Sequence, residues 1–467
     1  MLLILPNPAI MTEKKKKKYG TIAFSIFVLL CLLCAVYPSK HPEATAPFDS
    51  GTLAWMLSAS GLVLLMTPGL SFFYGGMINP RNIISTMLQS FVTLGVVSLL
   101  WYAVGFSLAF GDSIGGFIGN PLSFPFFDNV GTAPHPRMAT TIPFVLFAAF
   151  QLKFAIITPA LITGSFAERV RFWAYLIFVC LFCLVIYCPL AHWTWHPDGF
   201  LFKWGVLDFA GGTVVHISAG LAALAGAMVL GRRKSHIESR EHKPSNIPYV
   251  LLGTGLLWFG WFGFNAGSAL ESGPLAVNAF INTHLASAAA MLAWMLWDAA
   301  RGRKATAMGA CIGAVVGLVA ITPAAGFVDF GASIFIGVAA SLISNYAVHR
   351  KNLSTLDDTL DVFPCHGVGG IVGMLLTAVF AKTGGLIHGE SSLLLKHMAA
   401  LAIVAAFTFT GSYLLLKLTN RIIPLRVKES DEDKGLDISQ HNETVFDGEL
   451  FREHPPVKKA LLEEAVI

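Results

Sequence analysis

Hydrophobic and polar positions alternate on a long wavelength. Apolar stretches of about 20 residues, each long enough to cross a bilayer core of roughly 30 Å as a helix, are separated by short polar breaks. After Asp49 eleven such segments follow, at about 51–79, 83–110, 141–164, 172–190, 205–230, 247–270, 275–299, 306–324, 327–348, 362–381 and 391–420. The predicted fold is an all-α polytopic membrane protein with eleven transmembrane helices.

Ahead of these segments lie five lysines, Lys14 to Lys18, then the apolar stretch Ala23–Val36, then Tyr37, Pro38 and Ser39. This basic–apolar–polar layout is that of a secretory signal. It predicts a signal peptide over 1–46, cleaved between Ala35 and Pro47, with Met11 an alternative start. An uncleaved anchor is the competing reading. Both keep the lysines in the cytoplasm and send the chain outside. With the mature N-terminus outside, the cytoplasmic loops hold thirteen Lys and Arg residues (Arg81; Arg169, Arg171; Arg232, Arg233, Lys234, Arg240, Lys243; Arg301, Arg303, Lys304; Arg350, Lys351). The outer loops hold only Arg137, Lys203, Lys382 and Lys396. Positive-inside sorting produces this bias. The expectation is N-out/C-in in the inner cell membrane, with the membrane domain over 47–424 and a cytoplasmic tail over 425–467. The tail reads equally as solvated chain or as a docking segment.

Composition agrees. Of 467 residues 55 % are hydrophobic and 13 % charged, about half the charged share of a soluble protein. A net charge of +4, with no basic–aromatic patch beyond the lysine run, argues against a nucleic-acid partner. The pairs Cys31/Cys34 and Cys180/Cys183 have redox or zinc spacing, but both sit in apolar runs and read as small buried hydrophobes. No nucleotide-binding loop, nucleophile setting or zinc helix motif is present, so neither an energised pump nor an enzyme is predicted, and no cofactor.

Ionisable residues inside spans are functional candidates by default. Asp208 opens the fifth span, and His216 lies two turns deeper. In the tenth span Asp361 precedes His366. These are the last spans of two five-span blocks, 51–230 and 247–381. An odd number of spans inverts the second block relative to the first. Matching polar residues in matching spans of inverted repeats point to a pathway at the repeat interface. Two histidines without further ligands do not make a metal site. His192 and His196, four apart before span five, are a weaker metal candidate. Gly263/Gly267 and Gly369/Gly373 have the spacing of close helix packing. Phe150, Gln151 and Phe154, the run from Trp261 to Ser268, and Trp195 place rings beside polar groups. Ring faces attract a monovalent cation without a full charge.

The strings GLSFFYGG (69–76), GSFAER (164–169), DFAGGTVVH (208–216), WFGFNAGS (261–268) and DVF..HGVGG (361–370) together resemble the ammonium transporter (Amt/Mep) family, bacterial type, across nearly all of 51–445. DFAGG favours this branch over Rhesus-type proteins. The resemblance implies a homotrimer of eleven-span subunits, each with its own narrow pore. It implies that His216 and His366 are paired pore histidines and that Asp208 is the acid near the recruitment site. It makes Phe154, Trp195 and Ser268 the outer recruitment site, and Phe154 with Phe264 the stacked gate. It also implies a PII-type regulatory protein on the cytoplasmic face, where residues 435–437 (GLD) match the family's tail. His192, Trp193 and His196 crowd the loop before Asp208, and His284 adds a polar group in span seven. Both features depart from the family pattern.

The expected activity is ammonium uptake. Ammonium resembles potassium in size and charge but can lose a proton. A dry lumen refuses a bare cation, while neutral ammonia passes and the histidines relay the proton, making transport electrogenic. The alternatives are an ammonium sensor signalling through the tail, an electroneutral gas channel, and a non-transporting structural protein, which would not need two buried histidines.

Overall fold

The computed structural model describes residues 13–239 and 243–445. The start at Met11, Arg240 and the tail beyond 445 lie outside the described residues. A helix, α1 (Glu13–Val36), precedes the bundle. Among the described residues ten helices are long and apolar enough to cross a bilayer: α2 (Ser50–Met77), α3 (Pro80–Phe110), α4 (Phe144–Phe166), α5 (Phe172–Trp204), α6 (Gly212–Leu230), α7 (Ile247–Gly267), α8 (Pro274–Ala300), α10 (Phe330–Asn352), α11 (Phe363–Phe380) and α12 (Ser392–Ile422). The eighth predicted segment is the shorter α9 (Ala307–Ile321). Its 15 residues reach about 22 Å, short of a full hydrocarbon core.

Local chemistry sets several boundaries. Asp49 caps α2 through the Thr52 amide, Asn246 caps α7 through Tyr249, and Thr306 caps α9 through Gly309. Such caps satisfy amides that a helix start leaves unpaired. The predicted fifth span starts too early. Residues 207–211 are not helical, and α6 begins at Gly212, so His216 lies on its first turn rather than two turns in.

Both predicted glycine pairs face close contacts. A Cβ on Gly263 would come within 2.7 Å of the Ala59 carbonyl oxygen, joining α7 to α2; one on Gly373 would come within 2.3 Å of the Ala320 oxygen, joining α11 to α9. All seven cysteines are free.

The polar end of the bundle is tied by buried ions. Arg233 bridges Glu168 at 2.6 Å and Asp357 at 3.0 Å, each side chain at most 7 % exposed. Arg169, fully buried, donates to the Asp357 carbonyl and to Thr359 Oγ1. The tail is docked as far as it is described. The Val427 amide donates to the Arg169 carbonyl, Glu432 bridges Arg426, and Asp437 accepts from the Ile84 and Ser85 amides at the start of α3.

Candidate functional site

The helices that carry the two candidate histidines, α6 and α11, cross where glycine permits it. A Cβ on Gly220 would sit 2.2 Å from the Gly367 nitrogen. Each helix opens with a π-helical turn, Gly212–Ile217 and Phe363–Val368, and each turn carries one histidine, His216 and His366. π-turns widen a helix locally and recur at functional sites.

Asp208 builds the first turn. Its Oδ1 accepts from the Gly211 and Gly212 amides (2.8 and 2.6 Å); its Oδ2 accepts from the Thr213 amide (2.7 Å) and hydroxyl. A carboxylate has about four acceptor sites. All four are used within its own chain segment, so Asp208 organises backbone and has no lone pair left to coordinate a ligand. Trp195 Nε1 donates to the Asp208 carbonyl at 3.1 Å.

The matching acid in the second block is Asp358. Asp361, which the sequence places ahead of His366, instead bridges Lys351 at 2.6 Å. Asp358 Oδ2 accepts from the Phe363 amide, five residues on, as Asp208 accepts from Thr213. Each acid stands eight residues before its histidine. That spacing was the available signal, and the nearer Asp361 masks it.

Ring contacts run unbroken through the site. Trp195 meets Phe154 edge-on at 5.7 Å between centroids, and Phe154 lies 4.2 Å from Phe264 at 33°. Phe264 is 6.0 Å from His216, whose ring stacks on Trp261 at 5.3 Å. The His216 and His366 rings are 5.5 Å apart, with Nδ1 facing Nδ1 at 3.4 Å. Phe154, Phe264, His216 and His366 are at most 4 % exposed. Ser268 ends α7, its hydroxyl donating to the Phe264 carbonyl. The sequence-predicted residues therefore form one continuous set.

Thr322, just past the end of α9, was not singled out by the sequence. Its hydroxyl donates to the Leu318 carbonyl at 2.8 Å and accepts from Trp261 Nε1 at 2.9 Å. His216 Nε2 lies 3.3 Å from the same oxygen. The hydroxyl has one hydrogen, already given to Leu318, so His216 Nε2 must donate. A neutral His216 then presents a bare Nδ1 to His366, whose Nδ1 carries the shared hydrogen. A buried hydroxyl capping the end of an alanine- and valine-rich helix gives no periodic signal, which is why sequence patterns miss it.

His192 and His196 do not gather a metal set. His192 Nδ1 donates to the Ala109 carbonyl (2.9 Å), which leaves Nε2 to accept from the Ser113 hydroxyl (2.7 Å). The His196 ring stacks on it at 4.3 Å. No group of three metal-ligating side chains occurs among the described residues. His284 is exposed on α8 and packs beside Trp258, away from the histidine pair.

The chain matches the Ammonium Transporter Family over residues 54–446. It is 47 % identical over 408 residues to a putative ammonium transporter of Methanothermobacter thermautotrophicus, covering 85 % of this chain and 98 % of that one. It is 44 % identical over 422 residues to an ammonium transporter of Aquifex aeolicus, covering 89 % and 98 %. Among solved structures it is similar to Saccharomyces cerevisiae Mep2, with TM-score 0.77, 36 % identity and coverage of 82 % and 88 %. It is also similar to a sensor Amt protein, with TM-score 0.77, 29 % identity and coverage of 84 % and 98 %.

Proposed function

The chain belongs to the ammonium transporter family, and from that premise we propose how it moves ammonium. The cation is recruited among Trp195, Phe154 and Ser268, deprotonated there, and passed as ammonia between Phe154 and Phe264. It then travels along His216 and His366 while the proton moves separately. The carrying observation is the unbroken line of rings ending in a buried imidazole pair, with both oxygens of Asp208 spent on its own chain segment. Phenyl faces favour a cation at the mouth. Deeper, full desolvation of a charge is prohibitive, so only the neutral species proceeds.

The imidazole pair supports the relay. His366 shares its Nδ1 hydrogen with the bare His216 Nδ1, and His216 holds its single N–H, on Nε2, toward Thr322. A proton arriving at His366 Nε2 can send the Nδ1 hydrogen to His216 Nδ1 and release the His216 Nε2 hydrogen, after which both rings must regain their starting tautomers before the next proton passes. Asp208 acts by shaping the first turn of α6 rather than by binding the ion.

The surrounding reading is of eleven spans with α9 as the eighth, two inverted five-helix blocks plus α12, and N-out/C-in orientation. It divides the chain into a signal peptide (1–46), a membrane domain (47–424) and a cytoplasmic tail (425–467), assembled as a homotrimer in the inner cell membrane. The matched Asp208 and Asp358 caps favour the repeat. The tail docked on α3 favours a regulated face, where a PII-type protein would act.

The test is electrical. Reconstituted protein is expected to give a current on ammonium addition and none on potassium. Replacing both His216 and His366 by Ala should abolish it, and an unchanged current in that variant would sink the relay. Uptake without current would favour an electroneutral gas channel. The similarity to a sensor Amt protein keeps one further reading in view. Deleting 427–467 separates the two: lost regulation with intact flux marks a transporter, while lost signalling with negligible wild-type flux marks a sensor.

A further inference from the structure

His397 is a fully buried histidine of α12, outside the ring line. Its Nδ1 lies 2.8 Å from the Met374 carbonyl of α11, so Nδ1 carries the hydrogen and donates it. Its Nε2 is then a lone pair, and it accepts from the Leu207 amide at 3.0 Å. Leu207 immediately precedes Asp208. The next two residues are pinned as well. Trp195 Nε1 donates to the Asp208 carbonyl, and the Phe209 amide donates to the Pro323 carbonyl. Three consecutive non-helical residues are thus held by three different parts of the bundle. Of these anchors His397 is a side chain outside the proposed recruitment residues, and it ties the Asp208 segment to α11, the helix that carries His366.

We propose that His397 is a positioning residue for ammonium recruitment, fixing the segment 207–211 so that Trp195 and the first turn of α6 keep their places. The role rests on the transport reading above. An ordinary core histidine would fill space, and an apolar residue of similar size would replace it. This one supplies an acceptor to the amide of half-buried Leu207, and an amide left unpaired in a partly desolvated segment is costly. The strain would be relieved by a shift of the recruitment wall rather than of the imidazole pair. Substrate capture therefore suffers before the maximal rate.

The experiment compares wild type with His397→Leu, His397→Asn and His397→Gln in proteoliposomes. It reads half-saturation and maximal current for ammonium, together with hydrogen–deuterium exchange across 205–213. Leucine can neither donate nor accept. Asparagine can donate to Met374 but is too short to reach Leu207, while glutamine reaches. Leu and Asn should raise half-saturation about tenfold, equivalent to about 1.4 kcal/mol, with faster exchange at 205–213 and maximal current little changed. Gln should stay near wild type in both readouts. Unchanged half-saturation in Leu and Asn would overturn the role, as would a loss of maximal current shared equally by all three variants. The Asn and Gln pair serves alone if the leucine variant does not fold. Wild-type protein with neither current nor uptake would overturn the transport reading itself, before any variant is compared.

Discussion

At the scale of single residues, the chemistry depends on where hydrogens sit. Thr322 decides this for His216, because its own hydrogen is spent on Leu318. Thr322→Val keeps the shape and removes the acceptor that both His216 Nε2 and Trp261 Nε1 use. A lost hydrogen bond of this kind costs about 1–1.5 kcal/mol, so ammonium-evoked current is expected to fall roughly tenfold. Thr322→Ser, which restores the hydroxyl, should recover most of it, with both variants measured in the same liposomes. The histidines, Phe154, Trp195, Phe264 and Ser268 were legible in the sequence because polar and ring residues stand out in apolar spans and match a known pattern. Thr322 and His397 were not legible. A threonine after a helix end and a histidine near the start of a span have ordinary local explanations, and only packing shows what their polar atoms face.

Elements place those residues, and here the spacing between an acid and its histidine carries the information. Asp358 caps the first turn of α11 as Asp208 caps that of α6, while Asp361 is engaged with Lys351. Asp358→Ala should therefore reduce transport by displacing His366, and Asp361→Ala should act mainly on thermal stability. Flux and melting temperature measured side by side separate the two. Gly220 makes a sharper case. A methyl group there would meet the Gly367 nitrogen at 2.2 Å, so Gly220→Ala must spread α6 from α11. It is expected to abolish current while leaving the protein folded, as judged by gel filtration. Most spans were readable to within a few residues from hydrophobic length alone, but α5 continues past the expected end at 190 to Trp204 and carries His192, Trp193 and Trp195 on helix rather than loop. The start of α6 was not readable either, because Asp208 draws the backbone of 211–213 onto itself and apolarity does not register that turn.

For the whole molecule, the loops at the polar end act as one ionic fastening. Burial would raise the Asp357 carboxyl, but the Arg169 and Arg233 guanidinium groups outweigh it and hold the carboxyl well below the usual carboxylate range. A carboxylate depressed on folding adds stability above its unfolded value, near 4, and loses it as pH falls through the lower folded value. The melting temperature of purified protein should therefore hold from neutral pH to about 4 and decline below. In Asp357→Asn the neutral value should already be lower and the acid decline shallower. Breaking such a buried pair costs about 3–5 kcal/mol. This fastening was invisible to the sequence, which sorts Arg169 and Arg233 by side of the membrane but cannot say that they converge. The tail is likewise part of the whole. Asp437→Ala removes the acceptor for the Ile84 and Ser85 amides and should speed proteolysis of 427–445.

The short helix α9 has a consequence for the surrounding lipid. Eleven of its 15 residues are buried, and the backbone that continues from it through Thr322, Ala324 and Ala325 is buried too. Irregular backbone at membrane depth is tolerated only when protein shields it. A helix about 22 Å long would force an exposed bilayer to thin around it. Enclosed here by α7, α8, α10 and α11, it transmits no such demand. The place where the helix stops, beside the imidazole pair, is therefore insulated from hydrophobic mismatch. Flux per molecule should vary little across liposomes of graded acyl-chain length, even where the longer outer helices must tilt to fit.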